Sequence, residues 1–313
     1  MRTKGVQIRW KLVFPLVLAA GSLLLPFAAG QPPTPTFTAA EQALLQEHVY
    51  GGLPSTQDIY VRNGYVLCYN PQTRTPNWVA YHIEPDYRNT PTRDGRFASF
   101  RVDPDISNEA RDSEYVGLLA KRGYARGHLA PYGVMGGDRD GDGSYAEYHA
   151  DDSSNIGDPD DAMTIFQSNY MSNVAPQHHS GFNGSPGLWY DLERWIQDEL
   201  VQAQGREVWV FAGCIFGKGE PEKVGPNADI WVPPMFYKIV VTGGGVDGLP
   251  IVLAYLFPHQ RIRHGELDSF LVSVDVVEAM TGLNFFSDLA DPNETWLEDQ
   301  DTWNFAQEHF PNS

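Results

Sequence analysis

Apolar residues follow two kinds of pattern along the chain, and the order of these patterns sets the expected architecture. Thr38 followed by Glu41 forms a capping box, in which each residue satisfies a backbone N–H of the other. It opens a helix over about residues 39–48, which Gly51, Gly52 and Pro54 end. Tyr65 to Tyr69 (YVLCY) and Trp78 to Ile83 (WVAYHI), separated by turn formers from Asn70 to Asn77, read as a hairpin. Val208 to Phe216, Phe236 to Thr242 and Ile251 to Phe257 are continuous apolar runs and read as strands buried on both faces. The clearest helix lies ahead of them. Leu188, Trp189, Leu192, Trp195, Ile196 and Leu200 make one apolar face, with Ser185-Pro186 at its opening and Gly205 at its end. Val274 to Met280 reads as a further short helix closed by Gly282. The order strands, long helix, strands, helix predicts an α+β domain with a central, mainly antiparallel sheet flanked by helices.

Composition adds an expected organisation. Arg2, Lys4, Arg9 and Lys11 precede an almost wholly apolar stretch from Leu12 to Ala29, and Ala28, Ala29 and Gly30 offer a small-residue cleavage site. Residues 1–30 are expected to be an export signal, placing the mature chain outside the cell or in the periplasm; the rival is an uncleaved membrane anchor. Residues 31–55 read as a linker with its short helix, and residues 56–313 as the main domain. Removing the four positive charges of the signal takes the net charge from −18 to −22. Such a chain does not draw in polyanions by its long-range field, so any contact with nucleic acid must rest on a local basic patch and a metal ion. Residues 136–161 hold eight aspartates and one glutamate with little apolar content, and read as an acidic insertion. The run from Asp138 to Gly143 resembles the start of a calcium loop, but the twelfth position is His149 where a bidentate glutamate is needed. Cys68 and Cys214 are expected either as one disulfide or as two buried thiols.

The candidate chemistry begins at Arg126-Gly127-His128. A histidine takes a proton from water near neutral pH. The glycine lets backbone approach a substrate, and the arginine pairs with phosphate through parallel hydrogen bonds. Asn169 and Asn173 lie within Ser168 to Gln177 (SNYMSNVAPQ), and Asn183 follows just before the long helix. An amide oxygen is a hard, neutral ligand suited to magnesium. With Asn183 as the helix cap, Pro186 falls in the first turn and Glu193 at the edge of the apolar face. His178-His179 reads as a pair of loop residues near this site.

These segments together resemble the DNA/RNA non-specific endonuclease family, of the His-Me finger type. The resemblance runs from about Gly51 to Asp288 through PNWVAYHI, YARGHLAP, SNYMSNVAPQ, FN…GLWYDLE, WVPPMFYKIVV and VDVVEAMTGLNFF, in the family's order. It implies a ββα-metal core and a secreted endonuclease acting on DNA and RNA. His128 would be the general base, and Asn183 the direct protein ligand of one Mg2+, with Mn2+ as its substitute. Glu193 would hold a metal-bound water. Arg126 and Asn173 would position the scissile phosphate and help hold the histidine and water network, and Arg96, with Arg101 as rival, would contact phosphate ahead of the motif. Gly127 and Asn169 are placed with the substrate. The sequence departs from the family in three places: Ala125 stands where the motif has aspartate, Asn183 and Glu193 are two residues further apart, and the acidic insertion separates His128 from Asn183. Two rival functions accompany this reading: a phosphodiesterase acting on nucleotides or short oligonucleotides, and a non-catalytic binding module on the same fold. No stable protein partner is expected, a homodimer is left open, and membrane contact is expected only if the first segment stays uncleaved.

Overall fold

The computed structural model describes residues 36–87, 99–139, 162–243, 250–262, 267–290 and Glu294, all within the compact unit Thr34–Ser313. The export segment, Arg96 and most of the acidic insertion lie outside the described residues. No described helix is long and apolar enough to cross a membrane.

The chain opens with α1 (Ala39–His48), capped by the expected Thr38–Glu41 box. Strands β1 (Ile59–Val61), β2 (Val66–Asn70) and β3 (Thr75–Ile83) follow. Next come a 3₁₀ turn (Asp112–Tyr115), α2 (Leu118–Arg122), β4 (Tyr124–His128) and α3 (Ala162–Ser168). A 3₁₀ turn (Met171–Asn173) leads into β5 (Val174–His178), β6 (Ser180–Gly181), β7 (Gly184–Gly187) and α4 (Leu188–Trp195). The second half holds β8 (Val208–Ile215), β9 (Lys223–Val224), β10 (Ile230–Trp231), β11 (Met235–Thr242), β12 (Ile251–Pro258), β13 (Leu271–Val272) and α5 (Val274–Thr281).

Among the described residues, seven strands form one sheet in the order β1-β2-β3-β8-β11-β12-β13, with every neighbouring pair antiparallel. The expected α+β class with a central antiparallel sheet is therefore observed. Its middle strands are apolar at successive positions because both faces are covered. One face packs on Leu188, Trp189, Leu192, Ile196 and Leu200 of the long helix. The other packs on Val49, Val274, Val277, Phe285 and Phe286. Full burial of each such side chain contributes about 1.5–3 kcal/mol, so the helix is held by this stripe more than by its own propensity.

Two expectations change at this level. Helix α4 begins at Leu188, with Gly187 as its cap, because Gly184–Gly187 is extended and pairs with Ser180–Gly181. Asn183 is therefore not the helix cap and Pro186 is not in the first turn; Ser185-Pro186 is a cis peptide in β7. The helix continues past Trp195 in wider, π-helical turns to Ala203, and Gly205 (φ +65°) ends it as expected. The cysteines are both free and buried. Cys68 and Cys214 belong to the two opposite core layers, so the sheet itself separates them.

Candidate active site

Strands β4 and β5 form a separate antiparallel ribbon, with Arg126 opposite Pro176, Gly127 opposite Ala175 and His128 opposite Val174. The order of the site is thus strand β4, strand β5, helix α4. Side chains alternate along a strand, so Tyr124, Arg126 and His128 leave one face of the ribbon and Ala125 and Gly127 the other.

His128 is held from two sides. Its Nε2 lies 3.3 Å from Asn169 Oδ1, and its ring lies 5.1 Å from that of Phe100. Oδ1 only accepts, so a hydrogen bond here requires the tautomer that carries its proton on Nε2. Asn169 is fully buried; it reaches the histidine from below and orients it, a different place from the substrate contact expected of it.

Asn173 is also fully buried. Its Oδ1 accepts from Ala130 N–H at 2.9 Å, and its Nδ2 donates to Ala130 O and Ser168 O, each at 2.9 Å. The amide is spent on backbone: Asn173 helps hold the histidine, as expected, by pinning the segment that leaves His128, and in this arrangement its amide has no group left for a phosphate. Beneath it, Ser172 Oγ donates to Asp103 Oδ2 at 2.6 Å, and Arg62 pairs with the same carboxylate in the buried interior.

Gly127 has a packing reason. A Cβ there would meet Gln177 Oε1 at 2.0 Å and Gln177 Cδ at 2.3 Å. Gln177 is fully buried, and neither of its amide atoms has a hydrogen-bond partner. The missing side chain makes room for Gln177, which gives Gly127 a packing role beside the expected approach of substrate.

Arg126 and Asn183 line one pocket of about 310 Å³, together with Phe100, Tyr115, Ala125, His179 and Gly184. Arg126 Nε is 2.5 Å from Asp112 Oδ1, and its guanidinium carbon is 5.2 Å from the Phe100 centroid. Asp112 is placed by its 3₁₀ turn, which Arg74 ties to the β2–β3 connection through Glu114 at 2.7 Å. The backbone N–H of Asn183 donates to His178 O at 3.0 Å, and no described residue hydrogen-bonds its side-chain amide. His128 is not among the lining residues; it adjoins the pocket through Phe100, two positions beyond Arg126 on the same face of the ribbon.

Glu193 is not brought to this pocket. Its Oε1 accepts from Lys238 Nζ at 2.9 Å, and Lys238, fully buried on β11, lies 3.8 Å from the Trp189 centroid. Burial raises the Glu193 carboxyl above its ordinary value and lowers the Lys238 ammonium, and their mutual attraction opposes both shifts. The expected water-holding place of Glu193 is therefore taken by an ion pair under the sheet. Arg101 is likewise engaged elsewhere, donating to Phe166 O at 2.7 Å with its guanidinium 3.8 Å over the Phe166 ring.

His178 ends β5 instead of lying in a loop, and its ring stacks on Tyr124 at 4.6 Å. Beside it His259 accepts from His178 N–H at 2.8 Å through Nε2 and donates to Pro233 O at 2.8 Å through Nδ1. Burial pushes His259 down to about 3, so it stays neutral. Phe100, Asp112 and Lys238 are the neighbours that sequence reasoning missed. For Lys238 a signal existed: a lysine in the middle of FYKIVVT has to be paired or neutralised.

Comparison with known proteins bears on this arrangement. A family model described as DNA/RNA non-specific endonuclease matches residues 46–292. A nuclease of Nostoc sp. is 29% identical over 266 residues, covering 82% of this chain and 84% of the relative. The nuclease of Serratia marcescens is 26% identical over 236 residues, 74% of this chain and 76% of the relative. Human mitochondrial endonuclease G is 28% identical over 250 residues, with 75% and 71% covered. A chain of the crystal structure of the EndoG/EndoGI complex matches with a TM-score of 0.62 at 24% identity, covering 82% of this chain and 96% of that one, a likeness of fold alone.

Proposed function

The chain belongs to the DNA/RNA non-specific endonuclease family, and on that premise we propose that it hydrolyses phosphodiester bonds in DNA and RNA, with His128 as general base and one magnesium ion held by Asn183. The observation that carries this reading is the placement of Arg126 and Asn183 on the walls of one pocket, with His128 beside it.

The donor set fits the ion. Asn183 offers a hard, neutral oxygen that no described residue engages, and magnesium keeps most of its water when bound through so few protein ligands. Manganese accepts the same oxygen donors and is expected to substitute. When bound, the ion supplies charge stabilisation for the phosphate and the leaving 3′ oxygen.

The protein's own groups do the rest. With Nε2–H directed at Asn169 Oδ1, the basic lone pair of His128 is on Nδ1, which takes the proton from the attacking water. Phe100 holds the other side of the imidazole and limits its rotation. Arg126 is gripped at Nε by Asp112 and pairs with the phosphate through its outer nitrogens. Asn173 keeps the chain after His128 in place, and the Glu193–Lys238 pair fixes α4 against the sheet; both act as positioning residues.

The test uses the purified chain on plasmid DNA and on RNA, with and without chelator. Chelation should abolish cutting of both. His128→Ala should lose about 10²–10⁴-fold in kcat, and Asn183→Ala should raise the magnesium concentration required. Undiminished metal-stimulated cutting by His128→Ala ends this reading. The net charge of −18 favours a second reading, action on short substrates that carry little charge. A small aryl phosphodiester cleaved faster than long duplex DNA would support it.

A further inference from the structure

At the end of the sheet where β3 and β8 meet, three metal-ligating side chains are left unused by the proposed reaction. The register pairs His82 with Trp209 and Ile83 with Val208, so the next step sets Glu84 opposite Glu207. Alternation turns His82 and Glu84 to one face, and Glu207 and Trp209 to that same face. The ligand atoms of His82, Glu84 and Glu207 all lie within 4.8 Å of one another. His82 Nδ1 is 3.8 Å from Glu84 Oε1. The histidine is only 4% exposed, and neither of its ring nitrogens has a hydrogen-bond partner. Its ring lies flat on Trp209, with centroids 4.5 Å apart and planes 14° apart, which fixes its direction. Two arrangements here are unfavourable as they stand: a buried imidazole with unpaired nitrogens, and two like charges facing each other across neighbouring strands.

We propose that His82, Glu84 and Glu207 form a second cation site, distinct from the pocket of Asn183, and that its ligand is zinc. One bound cation resolves both unfavourable features together. One imidazole nitrogen and two carboxylate oxygens, with water as the fourth ligand, suit a borderline first-row ion; magnesium and calcium take oxygen ligands. Zinc sits about 2.0–2.2 Å from each ligand, so the carboxylates must close in by about an ångström. Glu207 is exposed and the Glu84 side chain is 35% exposed, so both rotate without disturbing the core. The positive charge that acts on His82 is that of Arg139, which lies 3.7 Å from Glu47 Oε1 and is offset by it. The site faces the layer of α1 and α5, while His128 belongs to the ribbon on the other layer. The ion would clip together the ends of two central strands, and its effect would be on stability.

The test is calorimetric titration with zinc chloride alone, on the full chain carrying Asn183→Ala so that the proposed catalytic ligand is absent. One zinc per chain should bind and raise Tm. Adding Glu84→Gln and Glu207→Gln should weaken that binding by about tenfold or more and remove the rise in Tm, while magnesium gives no rise in either protein. The two glutamates lie at the solvent edge, so these variants keep the test meaningful even where His82→Gln fails to fold. X-ray absorption of the zinc-loaded Asn183→Ala protein should show one nitrogen ligand with oxygens. Absence of zinc binding, or equal affinity after the two glutamate substitutions, overturns the proposal. Neither result touches the magnesium reading of Asn183, which is judged by cutting of DNA and RNA.

Discussion

Gly127→Ala tests whether the glycine before His128 serves the substrate or the core. The added Cβ would stand 2.0 Å from Gln177 Oε1, 2.3 Å from its Cδ and 2.5 Å from its Cγ. All three distances are far inside van der Waals contact, and Gln177 is fully buried, so it has no open side to move to. Overpacking of this kind costs about 1–3 kcal/mol. For a folded unit of this size that is a fall in Tm of about 2–10 °C. Because His128 follows immediately and pairs with Val174, the strain should also displace the histidine and lower kcat. Gln177→Ala alone should cost less, because it removes two amide atoms that have no partner. The double variant should then regain most of the stability lost by Gly127→Ala, a coupling of about 1 kcal/mol or more between touching residues. Denaturation curves and plasmid cleavage on all four proteins complete the cycle. A Gly127→Ala protein as stable as the parent refutes the packing argument. A double variant that folds well yet cuts no DNA refutes it in favour of substrate approach.

Other substitutions follow from the same neighbourhood. Asn173→Ala leaves Ala130 N–H, Ala130 O and Ser168 O without partners, and at about 1–3 kcal/mol for each buried orphan it should lower stability by about 3 kcal/mol or more in urea denaturation. Lys238→Met leaves the Glu193 carboxylate unpaired under the sheet, a loss of about 3–5 kcal/mol; Lys238→Met with Glu193→Leu should recover most of it, and a single Glu193→Gln variant should keep its magnesium dependence. Burial holds His48 and His259 down to about 3, below their unfolded values, so their contribution is full above about pH 6.5 and is lost as pH falls toward 3. Stability should drop by up to about 1.4 kcal/mol per pH unit for each of them, read from Tm between pH 6.5 and 4. Glu109 runs the other way: burial raises it to about 8, so its contribution is present below about pH 4.5 and lost as pH rises to 8, and Glu109→Gln should flatten that part of the profile.

The strands and the long helix were legible because their patterns are local. Three apolar runs become β8, β11 and β12 almost residue for residue, since a strand covered on both faces needs no polar position. The stripe from Leu188 to Leu200 faces the sheet as its spacing implies. The start of α4 was not legible, because the pairing of Gly184–Gly187 with Ser180–Gly181 overrides the preference of proline for a first helical turn. At the site the same division holds. Arg126 and His128 could be placed on one face from their spacing alone. The parts played by Gly127, Asn173 and Glu193 depend on what packs against them: Gln177 on the opposite strand, Ala130 across a long excursion, and Lys238 on another strand. Local pattern carries no record of such neighbours. The cysteines illustrate this too, since only the sheet topology shows that they face opposite layers.

The charge of the chain and the identity of its proposed metal ligand belong to one argument. A net charge of −18 repels a polyanion at long range, so attraction has to be generated within the site. The arginine in the pocket supplies little of it, because Arg126 is already shared with Asp112 at 2.5 Å. A carboxylate ligand would cancel half of a divalent ion's charge before the phosphate arrived. Asn183 is neutral, so an ion held there, as proposed, would keep its full charge for the substrate. The replacement of the motif's aspartate by Ala125, which lines the same pocket, acts in the same direction. In so acidic a protein, keeping carboxylates away from the proposed metal would preserve a local positive potential that a phosphate can approach.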